Sequence, residues 1–395
     1  MSALRSTLTL ALTLACASFA NDSSAASRLP RYRVIDQPSL RPGGASEGNS
    51  INQIGLMAGT STTATGATHA TAWLFNTAYD LKTLGGASSA VLWPVKNDLG
   101  LIVGVSRTAD EETLGESFSC GAFIGTDGHT CRGFAWFLGE MHAMPTFGGE
   151  NSFATSANNL GQVVGWAENT FHDPTCNGNN GGTGKQKLQF RAALWQPLTN
   201  RMQELPPLSG DSTSAATAIN DRGFVAGISG NCGSSVGSTS ANHMLIWQNG
   251  RIVRQIPYSA TNAWNTPMAM NQHGDVAGFV GDPNPDGFVL AFVWSPGDAA
   301  ITNLGTLTPD DDTAFSQALG INNRGQVVGI SVGAGLPLGS SGFLYQNGKM
   351  SNLQDLVGDY PGTIVDAQDI NDLGEITGQA VVDDAYVNFL AVPVR

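Results

Sequence analysis

Short runs of alternating apolar and polar residues fill the chain from residue 32 to residue 394, and none carries the 3.6-residue spacing of an amphipathic helix. Many end at the same punctuation. Asn52, Asn97, Asn158, Asn220, Asn271, Asn322 and Asn371 are each followed three residues on by Gly55, Gly100, Gly161, Gly223, Gly274, Gly325 and Gly374. Four residues further stands a second glycine: Gly59, Gly104, Gly165, Gly227, Gly278, Gly329 and Gly378. Seven matches at fixed spacing define seven repeats.

Each repeat predicts four strands. The first precedes the Asn, as in Ala216-Thr217-Ala218-Ile219, and the second follows the first Gly, as in Gln326-Val327-Val328-Gly329. Asn opens a tight turn between them and Gly supplies the positive φ at its exit. The third ends in an aromatic residue: Trp73, Trp136, Trp195, Trp247, Trp294 or Tyr345, with Ala391 after Phe389 in the seventh copy. The fourth is short, as in Met350-Ser351-Asn352-Leu353. A repeat of about 50 residues with four antiparallel strands is one propeller blade. The fold class is therefore all-β, a seven-bladed β-propeller. Residues 32–36 form a fourth-type strand with no predecessor, and residues 388–394 a third-type strand with no successor. Together they complete the last blade and close the ring, which removes an exposed edge. An open β-solenoid is the rival, and it would need shorter repeats and capping ends.

Residues 1–20 have the order of a secretory signal: Arg5 in a basic start, an apolar run over 6–17, then Ser18-Phe19-Ala20. Cleavage is expected after Ala20, with Ala26 second and a lipoprotein reading at Cys16 third. Residues 21–30 form a flexible leader and residues 31–395 a single domain. Secretion, to the periplasm or beyond, follows.

Composition then narrows the partners. Lys and Arg number 19 against 32 Asp and Glu, a net charge of −13. That balance argues against nucleic acid or an anionic membrane as the main partner. No mature segment has the roughly 20 apolar residues of a membrane span. A monomer is expected.

Removal of the signal leaves Cys120, Cys131, Cys176 and Cys232, an even number that reads as disulfides in a secreted chain. Of three possible pairings, 120–131 with 176–232 is preferred, because the cysteines fall in equivalent connections of adjacent repeats. No C-x-x-C pair or His spacing suggests zinc. These second-to-third-strand connections are the long ones, 106–132 and 168–190 against 60–69 in the first repeat. Long loops on one face of a rigid scaffold commonly carry function. Phe118, Phe123, Phe171 and His172 are the candidate ligand-binding residues there.

Catalytic patterns fail on context. Gly329-Ile330-Ser331-Val332-Gly333 matches a nucleophile elbow, but its serine ends a repeated strand. No H-E-x-x-H or phosphate loop occurs. Asp282, Asn284 and Asp286 before Gly287 reproduce the start of a calcium loop, but Val293 stands where the closing Glu belongs. Calcium is the one cofactor to consider, and a Pro-rich turn is the plainer reading.

The signature His69-Ala70-Thr71-Ala72-Trp73, then Leu84-Gly85-Gly86, then Ile321-Asn322-Asn323-Arg324-Gly325-Gln326-Val327-Val328-Gly329 resembles the bacterial extracellular HAF-repeat proteins. The resemblance covers nearly all of the mature chain and implies secretion and a repeat architecture without assigning chemistry. Two function classes stand: a non-catalytic scaffold binding an extracellular glycan or protein, and a polysaccharide-acting hydrolase or lyase with its site at one mouth of the ring.

Overall fold

The computed structural model describes residues 29–116, 121, 123–176, 185–232, 242–257, 265–281 and 289–394. Seven antiparallel sheets follow one another along the chain, the first six with their strands in sequence order from inside to outside. Blade one holds Ser46–Ile51, Met57–Thr62, Thr68–Leu74 and Thr77–Asp80. Blades two to six repeat this order. Blade seven takes Ile376–Val382 and Ala385–Val394 from the end of the chain and Arg31–Asp36 from its beginning. Arg31 pairs with Val394 and Asp36 with Phe389, so the chain start completes the last blade as predicted.

The repeated residues have physical reasons. In every first turn the Asn side-chain oxygen accepts the N–H groups two and four residues on, as Asn52 does from Ile54 and Leu56 at 3.1 and 2.9 Å. The first Gly sits in the left-handed region, with φ of 78° at Gly55 and 92° at Gly274. The second Gly packs against the inner strand. A Cβ on Gly165 would lie 1.9 Å from the Phe153 carbonyl oxygen. The inner strand bulges there, between Ala154 and Ser156, and only a residue without a side chain fits against the bulge.

Each Asn side chain also reaches the next blade. Asn52 donates to the carbonyl of Asn97 at 3.1 Å, Asn97 to Asn158 at 2.7 Å, and Asn158 to Asn220 at 3.0 Å. Asn220 continues to Asn271, Asn271 to Asn322, and Asn322 to Asn371. Asn371 returns to Asn52 at 3.0 Å. A second ring runs beside the first. The backbone N–H of the residue after each Asn donates to the side chain of its counterpart in the next blade, from Gln53 to Asp98 at 3.0 Å round to Asp372 and Gln53 at 2.9 Å.

Trp73, Trp195, Trp247 and Trp294 are fully buried between blades, as their repeat position requires. Trp136 is only partly buried against its neighbours. Two inner strands depart from the repeat. In blade two Gly85–Ala90 ends seven residues before Asn97, where Pro94 can donate no ladder bond. In blade seven the inner strand is split into Thr363–Ile364 and Asp369–Ile370.

Candidate functional site: the long-loop mouth

Antiparallel order places the Asn turns and the outer hairpin turns on one face, and the second-to-third-strand connections on the other. The strands of blades two and three run further into those connections than the sequence suggested. Ile102–Glu111 and Val163–His172 are ten residues each. Phe171 and His172 are thus exposed residues on a strand extension rather than in a free loop, with Phe171 at 67% exposure. A shift of register between Glu168 and His172 turns that extension out of the blade.

Phe123 leans inward instead. Its ring lies 5.4 Å from Trp93, 5.0 Å from Phe153 and 6.1 Å from Trp166, while Phe153 and Trp166 stack at 4.3 Å. This aromatic group belongs to an apolar cluster that draws on blades two to six, from Ala90 and Phe153 to Met268 and Leu319, and so meets across the axis. Phe123 closes it from above and stays 36% exposed. Among the described residues the indole N–H groups of Trp93 and Trp166 are buried without a partner.

Blades seven and one line the axis with charge. Glu47 accepts from Asn49 at 3.1 Å and from Gln368 at 3.0 Å, and burial pushes its carboxyl up. Burial first, and then the charge of Glu47, push the Asp366 carboxyl up to about 8. Nearby, Lys96 of blade two forms a buried ion pair with Asp369 of blade seven, which also receives the Ile51 N–H at 3.0 Å.

A second acidic pair ties the long connections together. Gln186 donates its side-chain amide to Glu116 at 3.4 Å and to Glu168 at 3.1 Å, so the two carboxylates lie within two hydrogen-bond lengths of each other. Glu116 also receives the N–H groups of Lys187 and Leu188, at 2.6 and 2.5 Å. Glu168 receives those of Glu150 and Asn151, at 3.1 and 2.8 Å. Burial, with Glu116 close by, pushes Glu168 up to about 7. Raised carboxyls near a mouth suit general acids. Glu168 is fully buried, however, and Glu116 and Asp366 nearly so. Their hydrogen bonds go to neighbouring backbone and amides, which makes them fasteners of the loops.

Cys176 and Cys232 are bonded, with 4.9 Å between their Cα atoms, and join blades three and four as predicted. Cys131 is disulfide-bonded too. Cys120, Phe118 and the calcium candidates Asp282, Asn284 and Asp286 lie outside the described residues. Among the described residues no group of three or more His, Cys, Asp or Glu could hold a metal ion, and no helix is long and apolar enough to cross a membrane. Sequence reasoning missed Glu47, Glu116, Glu168 and Asp366. The repeat gave no signal for them, since Glu116 falls in an irregular connection and its partner lies in another blade.

No protein-family profile matches the chain, and no curated protein sequence matches it. Solved structures do. A puromycin-hydrolysing peptidase of Mycobacterium tuberculosis is similar over 92% of this chain, at 10% identity and a TM-score of 0.50. The chain spans 55% of that peptidase. An oligogalacturonate lyase solved with manganese is similar over 93% of this chain and 97% of its own, at 11% identity and a TM-score of 0.48. An acylaminoacyl peptidase is similar over 87% of this chain and 51% of its own, at 12% identity and a TM-score of 0.47. At such identities the likeness is one of fold. The chain is a seven-bladed β-propeller closed by its own N-terminal strand.

Proposed function

We propose that the protein is a secreted, non-catalytic binding scaffold of the HAF-repeat kind, which recognises an extracellular glycan through the long-loop face of blades two to four. One observation carries this reading. On that face the carboxylates with raised pKa are spent on fastening loops, whereas Phe171 is left presented at the end of a fastened strand. Aromatic faces stack on sugar rings, and a loop ordered before contact loses less entropy on binding. The Cys176–Cys232 bond and the Glu116–Gln186–Glu168 link supply that order.

The test is retention of the purified chain on a panel of soluble and insoluble extracellular polysaccharides, with the supernatant assayed for new reducing ends and unsaturated sugars. Retention without product supports the scaffold. Product release would replace it with the hydrolase or lyase reading, and retention of no polysaccharide would end the glycan assignment.

A further inference from the structure

The opposite face, which carries the Asn turns, is divided in two. The residue two after each Asn stands at the tip of its turn and is exposed in all seven blades. In blades seven, one, two and three these tips are Leu373, Ile54, Leu99 and Leu160. In blades four, five and six they are Arg222, His273 and Arg324. The outer hairpin turns keep the same division. Phe75, Leu138 and Leu198 project from blades one, two and three, about two strand spacings (roughly 9–10 Å) outside the inner tips. Among the described residues no large exposed apolar side chain stands on these turns in blades four to six.

Two of the outer residues are held at a cost. Phe75 and Leu138 have φ of 49° and 55°. Blades four and six put Asn249 and Asn347 at the same hairpin position, with φ of 51° and 52°, and Asn is the residue that tolerates it. A Phe and a Leu there are strained, and they gain no burial in return, being 90% and 95% exposed. Strain that improves no packing is a mark of function.

We infer that this face docks on a phospholipid surface, with the apolar arc inserted and the cationic arc at the level of the headgroup phosphates. The seven apolar side chains are 61% to 95% exposed. Each is presented singly to solvent rather than shielded by a neighbour. They stand on separate turn tips at one level of a disc, with polar turn backbone between them. That arrangement suits insertion into a fluid, flat interface better than the close-packed centre of a protein interface. On the cationic side Arg222 is held over Phe224 at 5.0 Å and Arg254 over Trp294 at 5.7 Å. The ring carboxylates of this face are occupied, Asp98 and Asp221 by Asn159 and Asp372 by Asn323. A net charge of −13 opposes an anionic bilayer, so the surface is zwitterionic. Docking this way turns the long-loop face outward.

The experiment is co-sedimentation of residues 21–395, which hold the whole ring, with phosphatidylcholine vesicles. The wild type should pellet with lipid. Phe75→Asn/Leu99→Ser/Leu138→Asn should partition at least about tenfold less, a difference of roughly 1.4 kcal/mol. Phe75→Asn/Leu138→Asn alone should raise the melting temperature, which separates lost docking from lost folding. Tyr79→Ser/Val253→Ser, which removes exposed side chains at the blade edges, should leave partition unchanged. A wild type that stays in the supernatant, or a triple variant that pellets equally, overturns the proposal. So does lipid-free dimerisation abolished by the triple variant, which would assign the face to a second copy of the chain.

Discussion

Asn371 donates its side-chain amide to the backbone carbonyl of Asn52, 3.0 Å away in space and 319 residues earlier in the chain. The same bond joins every other pair of neighbouring blades, so the ring is closed twice, here at the inner turns and again at the outer strand Arg31–Asp36. Each Asn satisfies two N–H groups of its own turn and one carbonyl of the next. Asn158→Ala strips the bonds to Leu160, Gln162 and Asn220, and with them the Asn158–Gln162 side-chain contact, and should cost about 2–4 kcal/mol. Urea unfolding measures it, and a loss below about 1 kcal/mol would mean that the ring does not hold the blades together.

The outer closure should be as valuable. Deletion of residues 29–36 removes the whole fourth strand of blade seven and exposes the edge of Ala385–Val394. It also uncovers the apolar cluster into which Tyr32 packs. The melting temperature should fall by about 10 °C or more, given roughly 2–4 °C per kcal/mol for domains of about 150–250 residues. An unchanged melting curve would show that the Asn ring closes the propeller alone.

Much of this was legible in the sequence because a repeat reuses its physics. Asn opens the turn, the first Gly takes positive φ, and the second Gly faces a bulge, so all three recur at fixed spacing. The residue two after the Asn looked merely variable in seven repeats. Its division into Leu373, Ile54, Leu99 and Leu160 against Arg222, His273 and Arg324 gains meaning only when the ring makes blade seven the neighbour of blade one. Glu116 and Glu168 were hidden for another reason. Their contact crosses two blades through Gln186, and no local pattern encodes such a bridge.

The tryptophans separate by packing. Trp195→Ala removes a fully buried indole and should cost about 3–5 kcal/mol. Trp136→Ala, at the partly buried copy of the position, should cost less. Equal losses in chemical denaturation would contradict the burial difference.

Stability should fall as pH rises. Glu168 moves from an ordinary 4.5 up to about 7 and Asp366 from 3.8 up to about 8, burial being the first cause in both. Between each ordinary and raised value the folded chain keeps a proton that the unfolded chain has lost. The stabilisation is complete below the ordinary values and is gone once pH passes the raised ones. Melting temperature should therefore decline from about pH 4 to about pH 8, and Glu168→Gln should flatten part of that decline. A rise over the same interval would show that both carboxyls ionise freely in the fold.

Recognition by the long-loop face is tested most directly by titrating the retained polysaccharide into wild type and into Phe171→Ser/His172→Ser. Both residues are exposed at the end of their strand, so the fold should not change. With an unaltered melting temperature, the variant's Kd should be at least about tenfold weaker, or roughly 1.4 kcal/mol. An unchanged Kd would contradict recognition through these residues.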